Sequence, residues 1–414
     1  MDNAARPRIW EAMDTDVIIV GGGLTGPLTA LALADAGLRS IVLDARDRDA
    51  FEAGDFDGRS YAMALGSVRA LRALGLWERL EADAQPITGI RASDGRAGEG
   101  ASPLHLAFDA ADIGEAFMGQ MVEDRHLRPV LLAACDAEPK IEMRFGVTVT
   151  AQAANGPTIT VEAAGATLTG RLLLGCDGRG SGVAERAGIT RARKEYGQTA
   201  LVCAIEHDKP HHGIAHQFFM PPGPLAILPL RGNRASLVWT ETPEVAAELA
   251  ALDEAAYLDA LRPRIGSFLG DFRLVGARGT YPLDLTLARD FAADRVALVG
   301  DAAHGIHPIA GQGLNLGVKD VAALAHVLGD ARRRGEDIGA PDVLARYQRW
   351  RRFDTAAMGF ATDAVNRLFS NDNPLLRLGR DLGMGAISAL PGLRKRFIRE
   401  AAGISGDLPR LMRG

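Results

Sequence analysis

Cysteine is scarce in this chain, with Cys135, Cys176 and Cys203 the only three in 414 residues. They are scattered, odd in number and without metal-ligand spacing, so they read as buried thiols of a reducing cytoplasm. Long apolar runs are missing too: no stretch approaches the roughly 18 uncharged apolar residues of a membrane-spanning helix. The polar stretch Met1–Asp16 lacks the apolar segment of a secretory leader. Charge of one sign is not in excess either. A net charge of −5 is too mild to argue for nucleic acid or an acidic partner. There is no internal repeat and no low-complexity tract.

What is present is ordinary globular material, 47% apolar and 24% charged, in a chain long enough for two domains or one large α/β unit. DVIIV (16–20) is a short apolar run of the kind buried in a parallel sheet; GGGLTG and then PLTALALADAGL follow, with helical spacing and Gly37 as a stop. SIVLDAR (40–46) is a second such strand, which completes a right-handed βαβ unit. SVRALRALGLWERL (67–80) has helical periodicity, whereas PITGIRASDGR and SPLHLAFDA read as short strands. VEDRHLRPVLLAAC (122–135) returns to helix, with Pro129 marking a late start. From about 197 to 280 strands dominate, including a hairpin turning at Gly232-Asn233, followed by a polar helical stretch at 243–262. RVALVGDAAH (295–304) resumes the buried-strand pattern, GLNLGVKDVAALAHVLGD starts a helix near 314, and the remainder is helical. The first sheet is thus interrupted by strand-rich insertions and completed late. That predicts a discontinuous nucleotide-binding domain (14–85, 110–190 and 280–365), an inserted, mainly antiparallel domain (86–109 and 191–279) and a helical end (366–414).

Three motifs carry chemistry. Gly21, Gly23 and Gly26 stand directly after a strand and open a helix: the first for the tight turn, the second for close approach of a pyrophosphate, the third for helix–strand packing. The helix N-terminus offers free N–H groups to phosphates. Asp44 closes the next strand, 18 residues beyond Gly26, where an acid bonds the adenosine ribose. Asp177-Gly178 follows the strand LLLG, where the carboxylate either caps a helix or meets a ligand; Val183 stands where a third glycine would complete a second fingerprint. In GDAAHGIHPIAGQGLNLGVKD, Asp301 ends a strand, and Gly311 to Leu314 expose backbone N–H groups ahead of a helix whose N-terminus stabilises negative charge. His304 and His307 are expected to bond backbone carbonyls; a general-base role stays open for either, and no further partners for zinc are evident.

GGGLTG, CDG and GDAAH…P…GQGLN in this order resemble the class A flavoprotein aromatic hydroxylases, over essentially residues 14–365. DGRSYAMALGSVRALRALGLW (57–77), YGQTALVCAIEH (196–207), RWRRFDTAAMGFATDAVNRLFSNDNP (349–374) and HPIAGQGLNLGVKD are similar to the ubiquinone-biosynthesis hydroxylases of the UbiH, UbiF and VisC group. Two departures are Ala64-Leu65-Gly66, where many relatives carry a serine beside the leucine, and Pro27, where a small residue is usual. The resemblance implies an α/β fold: a doubly wound, Rossmann-like FAD-binding domain with an inserted, mainly antiparallel β-sheet substrate domain and C-terminal helices. It also implies FAD as cofactor, NAD(P)H or another protein as electron donor, O2 as co-substrate, and hydroxylation through a flavin C4a-hydroperoxide.

By motif position, Gly21, Gly23, Gly26 and Asp44 would hold the ADP half of FAD, with Arg46 near the adenine, Arg125 at the phosphates and Val149 with its neighbours beside adenine. Arg59 lies in the loop that reaches the flavin, and Asp177 is the acid of the family's DG motif. Asp301 would bond the ribityl or pyrophosphate, and Gly311, Gln312, Gly313, Leu314 and Asn315 would line the isoalloxazine. Pro308, Gly313 and Leu314 are the residues implied at the reacting end, with Pro308 facing the substrate side; Phe218, Leu228 and Trp239 are candidates for the pocket or for core. The implied substrate is a polyprenylated phenol or quinone precursor. The alternatives are a small soluble phenol, or no catalysis at all in a flavin-binding scaffold. The implied location is cytoplasmic, with LGMGAISALPGLRKRFIRE leaving open a peripheral contact with the inner membrane or packing on the core or a partner, and a complex with other quinone-biosynthesis proteins.

Overall fold

The computed structural model describes residues 13–51, 54, 56–96, 98, 100–306, 311–369 and 390–413. Its organising layer is a six-stranded sheet. Val17–Val20 lies at the centre, flanked by Ser40–Leu43 and then Ile141–Arg144 on one side, and by Leu172–Gly175 and then Val296–Leu298 on the other. These five run parallel, and Ala292–Ala293 adds an antiparallel edge. Aliphatic residues fill both faces of the central strands because both faces are covered. Ile19 faces the helix Thr25–Asp35, where a Cβ on Gly26 would stand 3.7 Å away; Ile18 faces a three-stranded antiparallel meander (149–170), where a Cβ on Gly170 would stand 3.2 Å away. Thr25–Asp35 is buttressed by Gln312–Arg333 and by Asp124–Ala137. The latter touches it through the Cys135 thiol, which donates to the Pro27 carbonyl at 3.6 Å.

A second, eight-stranded sheet is built around two long antiparallel strands, Arg191–His207 and Phe272–Ala288, paired from Arg191↔Ala288 to His207↔Phe272. Arg234–Glu241, Gly223–Leu230, Ile214–Met220, Gly89–Arg96 and Gly100–Asp109 extend it on one side, with one parallel pairing, between Ile214–Met220 and Gly89–Arg96. One face packs on the helices Pro243–Ala251 and Glu254–Ile265 through Leu201, Phe218, Leu237, Trp239, Tyr257 and Leu261. The other face sets Ala204, Ala215 and Leu230, with Leu228, against Ile87 and Met121. Strand alternation therefore divides the three candidate pocket residues: Phe218 and Trp239 are core beneath the two helices, and Leu228 alone points the other way.

Local differences from expectation have physical reasons. The helix Asp124–Ala137 starts ahead of Pro129 and carries it inside, because its apolar face (Leu127, Leu131, Leu132, Cys135) is buried from the first turn. The hairpin loop is Arg231-Gly232-Asn233, with Leu230 paired to Arg234; only Gly232 takes a positive φ, +74°. The late helix starts at Gln312 rather than 314, since Gly311 adopts a left-handed N-cap. The helix Pro391–Ala401 folds back onto the start of the chain. Ile398 is buried with Leu65, Ala110 and Met118, and the Gly66 N–H donates to the Ala402 carbonyl at 2.9 Å. A Cβ at residue 66 would come within 2.3 Å of the Gly403 carbonyl oxygen, so this close approach requires glycine.

Candidate cofactor and active site

The first glycine turn is held shut from both sides. Gly21 takes φ +111°, and a Cβ there would lie 2.3 Å from the Cys176 carbonyl oxygen; one on Gly26 would lie 1.8 Å from the Gly21 carbonyl oxygen. A Cβ on Gly23 would meet nothing within 4 Å. Leu24, at the N-cap of Thr25–Asp35, gives no side-chain cap, and the first turn has no acidic residue. The positive helix end is thus left to whatever approaches Gly23. Asp44, buried at the next strand end, ties the turn down: its Oδ2 accepts from the Gly22 N–H at 2.6 Å, and its Oδ1 accepts from the Arg46 backbone N–H at 2.8 Å. The Arg46 guanidinium lies over the Phe51 ring at 4.1 Å. The Val147 N–H donates to the Asp44 carbonyl at 2.8 Å, which brings the 147–149 segment alongside this acid; the Val149 side chain itself is core.

Arg59 meets a residue the motifs did not single out, Asp124. This buried carboxylate accepts from the Tyr61 hydroxyl (2.8 Å), pairs with Arg59 (3.2 Å) and forms a fork with Arg128 (2.8 and 3.1 Å). Burial first, then the Asp124 charge, pushes the Tyr61 hydroxyl well above its ordinary value, so it stays a donor. Arg125 bonds Glu123 at 2.8 Å and stacks over Phe56 at 5.3 Å. Asp177 acts as a cap, its Oδ2 accepting from the Val183 N–H at 3.1 Å, while its buried Oδ1 has no partner among the described residues.

The late glycine turn packs directly on the early one. A Cβ on Gly300 would come within 3.1 Å of the Thr25 side chain, and one on Gly317 within 3.5 Å of the Gly300 Cα. Asp301, partly exposed in this turn, meets Arg179 at 3.5 Å. Asn315 pins the following helix: its Oδ1 accepts from the Ala64 N–H and the Ser67 hydroxyl, each at 2.8 Å, and its Nδ2 donates to the carbonyls of Ala62 (2.8 Å) and Gly311 (3.1 Å). What Asn315 offers a cofactor is therefore backbone. Gly311 to Leu314 are half-buried, and the first helical turn again lacks an acidic residue. Pro308 and His307 lie outside the described residues.

His304 departs from the expectation. It is fully buried and bonds the Asp320 carboxylate (Nε2 to Oδ2, 2.5 Å) rather than a backbone carbonyl. Asp320 also accepts from the Gly300 N–H (3.0 Å) and from Arg351 Nε (2.6 Å), and Arg351 continues to Asp354 at 3.0 Å. Burial pushes the Asp320 carboxyl up, but His304 and Arg351 outweigh it and hold the pKa below the ordinary carboxylate value. Asp320 and Arg351 lie in the stretches GLNLGVKD and RWRRFDT. No spacing rule singles them out, because their partners are distant in sequence.

The residues present fit FAD: room at Gly23 and Gly313 that a Cβ would fill, two helix ends without acidic side chains, and the unpartnered Asp177 oxygen. Two glycine turns packed on one another across the sheet, with a largely antiparallel sheet alongside, define the FAD-dependent monooxygenases. The chain belongs to the family of the FAD binding domain, whose model matches residues 14–358. It is 44% identical to the ubiquinone hydroxylase UbiL of Rhodospirillum rubrum over 404 residues, 96% of this chain and 92% of that protein. It is 34% identical to the 3-demethoxyubiquinol 3-hydroxylase of Escherichia coli over 393 residues, 94% and 99% of the two chains. The crystal structure of p-nitrophenol 4-monooxygenase PnpA from Pseudomonas putida shares the fold, with a TM-score of 0.78 at 22% identity over 95% of this chain and 98% of that one. Among the described residues, no helix is long and apolar enough to cross a membrane.

Proposed function

We propose that this flavoprotein hydroxylates the aromatic ring of a polyprenylated phenol or quinone precursor in ubiquinone biosynthesis, using NAD(P)H and O2. The observation that supports the reading is the packing of Thr25, Gly300 and Gly317, which sets the two glycine turns side by side, as one long cofactor requires. Bound FAD supplies the electron transfer and O2 activation. This chain supplies the rest. Gly21, Gly23, Gly26 and the Thr25–Asp35 helix end take the pyrophosphate, with Asp44 on the ribose, Arg46 and the 147–149 segment toward adenine, and Arg125 near the phosphates. Arg59 approaches the flavin, and Asp177 and Asp301 take hydroxyl donors. The backbone N–H groups at Gly313 and Leu314 stabilise negative charge at the flavin end. The relatives named hydroxylases of ubiquinone and demethoxyubiquinol support the substrate class. The helix Pro391–Ala401 exposes Leu393 and Phe397 beside Lys395, Arg396 and Arg399, a surface suited to peripheral contact with an anionic membrane that holds such a substrate.

The test uses the FAD-loaded protein with NAD(P)H, a short-chain prenylphenol and isotopically labelled O2. One labelled oxygen atom should enter the ring, and a deletion strain should accumulate the unhydroxylated precursor. Unchanged ubiquinone in that strain defeats the reading.

A further inference from the structure

Alternation along the strand Ile214–Met220 sends its side chains to two faces. Phe218 and Met220 enter the core beneath the helices Pro243–Ala251 and Glu254–Ile265. Ala215 joins the opposite cluster with Leu230 and Met121, and Phe219 meets Ala92. Gln217 lies between Ala215 and Phe219 and shares their face, which looks toward the cofactor domain. It is 8% exposed, and its Nε2 has no hydrogen-bond partner among the described residues. A buried amide N–H without a partner is costly, so its retention asks for a reason.

The surroundings of this amide are small or incompletely covered. Gln217 pairs with Ala92 on one side and Ala226 on the other, so both cross-strand neighbours end at a methyl group. Beyond Ala226 come Val238 and then Val202, and Leu228 follows Ala226 on the same face. These three apolar side chains stay half-buried, whereas Leu201, Leu237 and Trp239 on the opposite face are closed. The covering elements meet the face at its ends. Ile87 and Met121 close the Ala215 end, and the helix Pro341–Phe369 closes the other, where Asn366 donates to Gln198 at 2.9 Å. Between them lies an apolar recess with one amide at its floor. The recess borders the flavin end of the cofactor site. Ala62 packs on the same cluster as Leu228, and a Cβ on Gly311 would stand 3.0 Å from the Ala62 Cβ.

Resting on the prenylphenol reading above, we propose that Gln217 orients the aromatic ring of the substrate: its amide bonds a ring oxygen, and the space left by Ala92 and Ala226 receives the ring. An amide carries both a donor and an acceptor, so it serves a phenol hydroxyl and a quinone carbonyl alike. One polar partner in an otherwise apolar recess fixes the rotation of the ring in its plane. That rotation decides which carbon faces the late glycine turn. A ring without the oxygen leaves the amide unpaired and is discriminated against.

The experiment measures binding to the oxidised, FAD-loaded protein through the change in flavin absorbance. The probes are a short-chain prenylphenol and the matching prenylbenzene, which lacks the ring oxygen. Wild type is compared with Gln217→Met, which keeps the length of the side chain and removes the amide. The preference for the phenol over the prenylbenzene should fall about threefold to tenfold in the variant, as expected for one neutral hydrogen bond. The share of consumed NAD(P)H that yields hydroxylated product should fall with it, hydrogen peroxide making up the balance. Urea unfolding gives a readout that a structural role would move the other way. Removing an unpartnered buried amide should leave stability unchanged or raise it, with FAD content at the wild-type value. An equal phenol preference in wild type and variant overturns the role of Gln217 while the substrate reading stands. Where Gln217→Met is unstable or loses FAD, Gln217→Leu is read on the same criteria, and failure of both makes the amide structural and overturns the assignment. A wild type that neither binds nor hydroxylates the prenylphenol defeats the substrate reading and the role of Gln217 with it.

Discussion

Replacing Asp320 by asparagine removes the ionic pin beneath the late glycine turn. The carboxylate has no exposure and receives three donors, His304 Nε2 at 2.5 Å, Arg351 Nε at 2.6 Å and the Gly300 N–H at 3.0 Å. An amide keeps the shape but loses the charge, and either orientation aims its NH2 group at a donor. Removing one partner of a buried ion pair costs about 3–5 kcal/mol, against about 0–1 kcal/mol for an exposed pair. Arg351 retains Asp354 at 3.0 Å, which places the expectation at the lower end, about 3 kcal/mol. Urea unfolding of the wild type, Asp320→Asn, Arg351→Met and the double variant measures it, and the double variant should lose clearly less than the sum of the singles. The pH dependence adds a second readout. A carboxylate whose folded pKa is depressed contributes stability that is fully present above its unfolded value, about 3.9, and is lost as pH falls through the lower folded value. Wild type should therefore weaken in that acid window, and Asp320→Asn should lack this component. A loss below about 1 kcal/mol, or additivity with Arg351→Met within about 0.5 kcal/mol, would refute the pinning role.

Gly26→Ala places a methyl group 1.8 Å from the Gly21 carbonyl oxygen, so the turn must open; an overpacking cost of about 1–3 kcal/mol and loss of bound flavin are expected, read by visible absorbance, and a yellow variant at full stoichiometry contradicts the close-packing argument. Asp301→Ala should purify without FAD while keeping its far-ultraviolet circular dichroism; retained flavin absorbance counts against Asp301 as a ligand. Burial pushes the thiols of Cys135 and Cys176 up to about 12 and that of Cys203 up to about 11, so an aromatic disulfide reagent at pH 8 should label none until urea is added. Labelling of a thiol in the folded protein would show that its cover opens.

The elements that position the cofactor were legible because their signals are local. A β-branched run, a glycine turn and an apolar helix are contiguous at 17–35, and again at 296–333. Side-chain direction in the inserted sheet was not. Phe218 and Leu228 are both apolar strand residues, and only pairing decides which face meets the helices Pro243–Ala251 and Glu254–Ile265. The ionic hubs were equally hidden: Asp124 meets Tyr61 and Arg59 more than 60 positions away, and Asp320 meets Arg351 across 31. Asn315 shows the intermediate case. Its place in the motif was plain, yet its side chain bonds the backbone of residues 62 and 64, a use no spacing displays.

Seen along the axis of synthesis, the contact of Thr25 with Gly300 and Gly317 sets a timetable. The first glycine turn leaves the ribosome early, but the wall it packs against is made only when nearly 300 more residues have followed. The central strand Val17–Val20 waits likewise for Leu172–Gly175, and that strand for Val296–Leu298. A nascent chain that stops short of residue 317 cannot pack the two glycine turns together. Closure of the two glycine turns on one another is therefore a late event in the synthesis of each chain.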